Sequence, residues 1–522
     1  MIRVSTSDIG SSDCPKALAL KVRPESRTRT RDAPALLDFT LGPLMDALDR
    51  VEFGGREEED VIDELVRTRG AFGGNAAPAH PGLVSWSVEA FHNYRAAWRS
   101  RQETVIIPCS RPVRYPWMIT HSRETPDHRG VRRYEQTCWG RRYQSEDGSV
   151  REMWLLGLTT PKARSPVVHA AAANIAAFGG SRSSDRVRLV GFGAMSPLAQ
   201  QFADWTVDEI RQRAADEVAP RLHAIVDGTE RRAGRDCAAC SLAPGCAALP
   251  SASLIPDVHV ADGPRRVLSV TDLRYYTSCP ARYHLARQLH LHDVDTVESQ
   301  RIAMGRTVDA ILRDRHASTR PDRCAPDQPN DEFDAELSAE NRHLASRMLA
   351  RHAAWCPFPD VDEYDGPPIN QVVVHDERLN VIFIAAPDLV YPRSGGWVWR
   401  ETKTSQRRLR RDRSLLRQVP QLALAVLMVA SGALGRDIDH SAVEFEQLRP
   451  DGSTLEELDP GNPAVVVEAR EIIGEAVRSL TSDSAYEPAP GPACADCAVR
   501  RWCTPGSQHI AQQRGGTTSR DQ

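Results

Sequence analysis

A motif set that occurs twice constrains this chain more than any other feature. Cysteines stand as C-x2-C-x5-C at Cys237, Cys240 and Cys246, and again at Cys494, Cys497 and Cys503. Far upstream of each triplet is a Cys-Pro pair, Cys14-Pro15 and Cys279-Pro280. Shortly before each pair stands a short Ser/Thr-Asp-aliphatic stretch, Ser5 to Ile9 and Ser269 to Leu273. Between these landmarks, Gly42-x3-Asp46 corresponds to Gly305-x3-Asp309. The separate correspondences share an offset of roughly 260 residues, which marks an internal duplication.

The 522 residues therefore read as two halves of like fold. The halves span residues 1–250 and 267–505, with the Pro- and Ser-rich stretch 251–266 as a linker. The polar, Gly-containing tail 506–522 is expected to be disordered. Residues 67–82 and 317–334 read as loops. Helical patterns cover residues 204–226, 420–434 and 465–480.

Hydrophobic residues make up 41% of the chain and charged residues 26%, enough apolar surface for two real cores. A net charge of -4 excludes a polycationic protein, so any nucleic-acid footprint must be local. The N-terminus lacks the apolar core of a signal peptide, and the longest apolar run, 422–434, is too short to span a bilayer. A cytoplasmic protein without a membrane partner is expected. There thiols stay reduced, so cysteines read as ligands before disulfides.

Each half then offers four thiolates for zinc or an iron-sulfur cluster: Cys279, Cys494, Cys497 and Cys503 in the second, Cys14, Cys237, Cys240 and Cys246 in the first. Zinc sites more often pair two C-x2-C knuckles. A triplet with one remote partner fits a 4Fe-4S cluster better, with zinc as the alternative. The first half is a candidate for a second such cluster. Cys109, Cys138, Cys324 and Cys356 fall outside this grammar and read as ordinary thiols.

Residues 372–404 read as extended segments at 372–375, 381–391 and 397–404, an antiparallel meander. With Gly395 and Gly396 as a two-residue turn, Asp388 faces Lys403, and Glu401 shares that face because side chains alternate. A three-residue turn would send Asp388 to the other face. Two carboxylates and an ammonium on one patch suit metal-assisted phosphodiester hydrolysis: the acids hold magnesium or manganese, which polarises the phosphate and activates water, and the lysine stabilises charge. The rival is a surface salt-bridge ladder. Six arginines follow, Arg407, Arg408, Arg410, Arg411, Arg413 and Arg417, suited to backbone phosphates or to a solvated surface.

These motifs, in this order, resemble a RecB-like PD-(D/E)XK nuclease of the iron-sulfur type, as in AddB subunits and CRISPR-associated RecB-like exonucleases. The motifs are the Ser-x-x-Asp-Leu opening with Cys279-Pro280, Gly305-x3-Asp309, Pro387-Asp388, Glu401-Thr402-Lys403, a Gln-bearing helix and the last cysteine triplet. The resemblance implies an α/β protein of two tandem restriction-endonuclease-like domains, each a mixed sheet flanked by helices. It implies metal ligation by Asp309, Asp388, Glu401 and the Thr402 carbonyl, with Lys403 and Gln421 completing the catalytic set. It also implies a 4Fe-4S cluster on Cys279, Cys494, Cys497 and Cys503, DNA as substrate, exonuclease action in end processing, repair or defence, and a helicase as candidate partner.

Two positions depart from the family. Asp309 stands where His is usual, and the helix of Gln421 has Ala425 where Tyr is usual. The alternative is therefore a non-catalytic iron-sulfur scaffold that binds DNA. The first copy reads as degenerate. Its hairpin at 134–158 puts Gly140 near the place of Asp388, and Leu155, Leu156 and Leu158 opposite the places of Glu401 and Lys403. Its nearest charges are Arg141, Arg142 and Glu152, and a shifted alignment would enlist Glu135 or Glu152 instead.

Overall fold

The computed structural model describes residues 1–517, apart from 12, 24–34, 72–76, 114, 128–129, 181, 259–263, 297, 318–321, 327–336, 359–360, 363–367 and 436. The N-terminal half opens with β1 (Ile2–Ser5), α1 (Thr6–Ile9), α2 (Pro15–Lys21), α3 (Gly42–Glu52), α4 (Glu58–Arg67) and α5 (Pro81–Thr104). It continues with β2 (Arg111–Pro112), β3 (Met118–Asp127), β4 (Gly130–Trp139), β5 (Arg141–Gln144), β6 (Val150–Gly157), α6 (Pro166–Phe178), β7 (Arg186–Gly193), β8 (Ala199–Thr206), α7 (Val207–Arg213) and α8 (Ala219–Val226).

The C-terminal half repeats this plan. It runs β9 (Arg266–Leu268), α9 (Val270–Ser278), α10 (Pro280–Tyr283), α11 (Gln300–His316), α12 (Ala339–His352), β10 (Val372–Asp376), β11 (Val381–Ala385), β12 (Leu389–Arg393) and β13 (Gly396–Thr404). It ends with α13 (Leu415–Gln418), α14 (Pro420–Ala430), β14 (Ala442–Arg449), β15 (Gly452–Leu458), α15 (Pro463–Ser482) and α16 (Thr504–Thr517).

Sheet topology carries the duplication further than the motifs do. A small sheet has the order β1-β4-β3 in one half and β9-β11-β10 in the other, each with one parallel and one antiparallel pair. The larger sheets run β2-β5-β6-β7-β8 and β12-β13-β14-β15. In both, the two central strands are parallel and joined across a helix, α6 or α14, while the outer pairs are antiparallel. The expected mixed α/β architecture is present in both halves.

The shared Ser/Thr-Asp motif has a local cause. Ser5 and Asp8 form a capping box, the Asp8 amide donating to Ser5 Oγ (3.2 Å) and the Ser5 amide to Asp8 Oδ2 (2.8 Å). Ser269 and Asp272 do the same at 3.2 and 2.8 Å. Each satisfies backbone donors that a helix start leaves open. Each Cys-Pro pair then starts a helix, the cysteine at the N-cap and the proline at the first position.

Two compact units emerge, cut differently from the sequence halves. The first comprises residues 1–232, 278–296 and 484–522, and the second 233–277 and 297–483. In the first, α5 lays Trp86, Phe91 and Tyr94 against Trp154 and Phe192, and Leu285, Val499 and Trp502 complete that core. Trp502 Nε1 donates to Glu89 at 2.9 Å. In the second, α14 is buried along Leu422–Val429, as its unbroken apolar run requires.

Composition misjudged two connecting stretches. Residues 251–266 do not hang free: Leu254, Ile255 and Val258 are buried, and the amides of Leu254 and Ile255 donate to Asp376 Oδ2 at 2.8 and 3.4 Å. Proline and serine signalled irregular backbone, while three apolar side chains pinned it. Residues 259–263 lie outside the described residues. The tail continues the chain as helix α16, started against the cysteines: a Cβ on Gly506 would stand 3.3 Å from Cys503 Sγ and 3.4 Å from Cys494 Sγ. The loop at 67–82 agrees with the gap between α4 and α5, whereas most of 317–334 lies outside the described residues. The helix read over 204–226 begins at Val207, because Asp204 to Thr206 still belong to β8.

Candidate active site

The stretch 381–391 is two strands, broken at Ala386-Pro387-Asp388, so Asp388 sits at the mouth of β12 instead of within a strand. The hairpin turn is Ser394-Gly395, with φ of 52° and 85°, and not Gly395-Gly396. Gly396 is already in β13, where a Cβ would stand 2.1 Å from the His440 carbonyl oxygen. One glycine thus serves the turn and the other a close backbone approach. Arg393 pairs with Gly396 and Leu389 with Arg400, which sets Asp388 beside Glu401 instead of Lys403. The pairing slips by two residues, so Asp388 keeps its face and the convergence survives.

The Thr402 amide donates to Asp388 Oδ2 at 2.7 Å. Lys403 Nζ lies 3.6 Å from Asp388 Oδ2 and 3.6 Å from Glu401 Oε2. Glu401 is only 5% exposed, and Trp399 Nε1 donates to its Oε1 at 2.9 Å. Asp309 joins from α11, which approaches β13 through Gly305: a Cβ there would stand 2.8 Å from Thr404 Oγ1. One turn further on, Asp309 reaches Asp388.

Three carboxyl groups around one ammonium make an anionic site. Burial, followed by the Asp388 charge, pushes the Glu401 carboxyl up to about 7. Burial and Asp388 also raise Asp309, although Arg313 pairs with it at 2.5 Å. For Lys403 burial opposes the charge, but Asp388, Glu401 and Asp309 outweigh it and raise the ammonium above its ordinary range. An all-oxygen donor set carrying excess negative charge fits a hard divalent cation.

Asp309, Asp388, Thr402 and Lys403 line a cleft of about 520 Å³ with Arg274, Arg301 and Arg306 at its wall, while Glu401 is buried beside it. Sequence reading missed these three arginines. The signal was present, since Arg301, Gly305 and Asp309 recur at four-residue spacing and so share one helix face. All six arginines of the run that follows β13 are exposed. Arg410 pairs with Asp412 and Arg417 with Glu468 and Glu471, while the side chains of Arg407, Arg408, Arg411 and Arg413 make no ion pair among the described residues. Gln421 is half-buried in the first turn of α14 and does not line the cleft.

In the first unit the equivalent strand place has no such group. Leu155 and Leu156 are buried, and a Cβ on Gly140 would stand 2.4 Å from the Trp154 carbonyl oxygen, so no aspartate fits there. Arg141 is fully buried between Asp49 and Glu52 of α3. Glu152 is taken by Arg101 at 2.8 Å and by Trp154 Nε1 at 2.8 Å, and Glu135 by Arg3 at 2.8 Å.

Cys279, Cys494, Cys497 and Cys503 line one small cavity of about 20 Å³. Its other walls include Ala281, Leu285, Ala489 and Val499, with Arg282 and Arg500. All belong to the first unit, so this set does not close the second one. Burial, with the neighbouring thiols, raises Cys497 and Cys503. Of the other set, Cys14 belongs to the first unit, where its Sγ accepts from the amides of Ala17 (3.5 Å) and Arg232 (3.4 Å). Cys237, Cys240 and Cys246 belong to the second unit, packed with Val373, Ile382 and Ile384. Cys324 and Cys356, read as ordinary thiols, instead gather with His316 and His352 into a buried group able to hold a metal ion. Their spacing, H-x7-C and H-x3-C in two separate segments, falls outside the duplicated pattern.

Residues 267–504 match the family model of the PD-(D/E)XK nuclease superfamily. That superfamily implies metal-dependent nuclease activity with DNA as substrate. No curated protein matches the chain.

Proposed function

We propose that the C-terminal half is a RecB-like, divalent-metal-dependent deoxyribonuclease. One observation carries the reading: Asp388 and Glu401 flank Lys403, and Asp309, Asp388 and Lys403 line an open cleft, inside the segment that matches the nuclease superfamily. In this reading Asp309, Asp388, Glu401 and the Thr402 carbonyl hold magnesium or manganese. The bound cation supplies Lewis acidity toward the phosphate and makes water a better nucleophile at neutral pH. Lys403 stays protonated and meets charge developing on the phosphate, and is no general base. Arg274, Arg301 and the run 407–417 neutralise flanking phosphates without reading sequence. Gln421 serves a supporting role.

The four cysteines 279, 494, 497 and 503 would hold a 4Fe-4S cluster. Support comes from the four cysteines lining one cavity with a largely apolar wall. The N-terminal half is a nuclease frame without a nuclease site, supported by Gly140 and the Arg141 ion pairs. Exonuclease action in end processing, repair or defence, beside a helicase, follows from the same reading.

The assay is cleavage of linear single- and double-stranded DNA with manganese by anaerobically purified protein, wild type against Lys403→Ala. Wild-type cleavage should exceed that of the variant by at least ~100-fold, on the scale of losing a preorganised charge. Equal rates would sink the nuclease reading. They would favour a DNA-binding iron-sulfur scaffold, for which the Asp309 to Arg313 pair speaks, because it engages a proposed ligand.

A further inference from the structure

We propose that His316, Cys324, His352 and Cys356 form a structural zinc site, separate from the nuclease cleft and from both four-cysteine sets. All four side chains are buried, and one donor atom from each lies within 4.8 Å of the others. A tetrahedral zinc ion with bonds of ~2.0–2.3 Å sets its ligands ~3.3–3.8 Å apart, so a small contraction closes the set. His316 Nε2 is already 3.4 Å from Cys324 Sγ and 3.9 Å from Cys356 Sγ.

A second observation points at the same spot. His352 Nδ1 lies 2.9 Å from both carboxylate oxygens of Glu446, while its buried Nε2 has no hydrogen-bond partner. Donation from Nδ1 to the carboxylate fixes the tautomer and leaves a lone pair on Nε2. Carboxylate, imidazole and metal in that order are the usual support for a ligating histidine. Two thiolates and two imidazoles choose zinc over magnesium or manganese, which want oxygen.

The place of the site explains what it would do. His316 ends α11, the helix of Asp309. Glu446 also accepts from Thr402 Oγ1 at 3.4 Å, between Glu401 and Lys403. Leu389, next to Asp388, packs on the cluster of Cys324, Cys356 and Phe358. A single ion would therefore tie the end of α11 to the end of α12, and would reach the neighbours of Asp388 and Glu401 through Leu389 and Glu446. It would also anchor Cys324, which lies in no helix or strand among the described residues.

The test uses the full chain, purified without chelator, with zinc and iron counted by plasma mass spectrometry. Wild type should carry one zinc per chain more than Cys324→Ser/Cys356→Ser, with iron unchanged. A soluble double variant with the wild-type zinc content overturns the proposal, as does a Cys324 to Cys356 disulfide in the native chain. If the double variant is insoluble, cobalt-loaded wild type and His316→Cys decide. The third thiolate must add sulfur-to-cobalt absorption, and identical spectra refute the site.

Discussion

The anionic cleft makes a quantitative prediction through Glu401. Its carboxyl is pushed from an ordinary value of 4.5 up to about 7, by burial first and the Asp388 charge second. Below pH 4.5 folded and unfolded chains both hold the proton and nothing is lost. Between there and pH 7 the unfolded chain releases it while the folded chain keeps it, so stability falls as pH rises. At about 1.36 kcal/mol per pH unit, the loss reaches about 3 kcal/mol by pH 8 and is only about 1 kcal/mol at pH 5.

Glu401→Gln keeps an oxygen for Trp399 Nε1 and removes the titration. In buffer free of divalent cations, hydrogen exchange of β13 should therefore be ~100-fold slower in the variant than in wild type at pH 8, and less than ~10-fold slower at pH 5. Magnesium or manganese should slow exchange in wild type at pH 8 and leave the variant nearly unchanged. A variant that exchanges as fast as wild type at pH 8, or a difference indifferent to pH, refutes the account of Glu401 as a buried carboxyl that keeps its proton beside Asp388.

Three further outcomes follow from named contacts. Gly305→Leu should abolish cleavage and destabilise the second unit by roughly 1–3 kcal/mol, because even its Cβ meets Thr404 Oγ1 at 2.8 Å; cleavage and thermal unfolding check this. Replacing Arg407, Arg408, Arg411 and Arg413 by Ala should weaken DNA binding uniformly across sequences. Each lost phosphate contact should flatten the slope of log affinity against log salt by about 0.7–0.9, read by fluorescence anisotropy. Glu152→Gln should lower the melting temperature and leave DNA cleavage unchanged, since Glu152 serves Arg101 and Trp154 in the first unit.

What sequence could reach depended on whether the cause was local. The capping boxes at Ser5 and Ser269 and the Cys-Pro helix starts involve neighbours within a few residues, so the motifs were visible as words. Alternation likewise put Glu401 and Lys403 on one face whatever the turn. The turn itself was misplaced because Gly395 and Gly396 look alike in sequence, and only the His440 backbone distinguishes them. His316 and Cys324 meet His352 and Cys356 from a separate segment of the chain, and Glu446, which holds His352, stands on β14. The unit boundaries were illegible for the same reason: Trp502 is buried by Glu89 and α5, hundreds of residues away in sequence.

The two halves share a topology and differ in where positive charge comes from. In the second, three carboxyl groups surround one lysine, and burial with the Asp388 charge holds the Glu401 proton up to about neutrality. In the first, the residue after the Gly140 kink is Arg141, whose guanidinium is buried between Asp49 and Glu52 and stacks 4.6 Å from the Trp117 ring. Burying such a pair costs desolvation, which close ionic geometry and the ring face repay. An arginine there supplies positive charge from within the fold, beside the acids of α3. Restoring acids to the first half would therefore not restore ion binding while Arg141 stays, and Gly140→Asp would first have to move the Trp154 carbonyl.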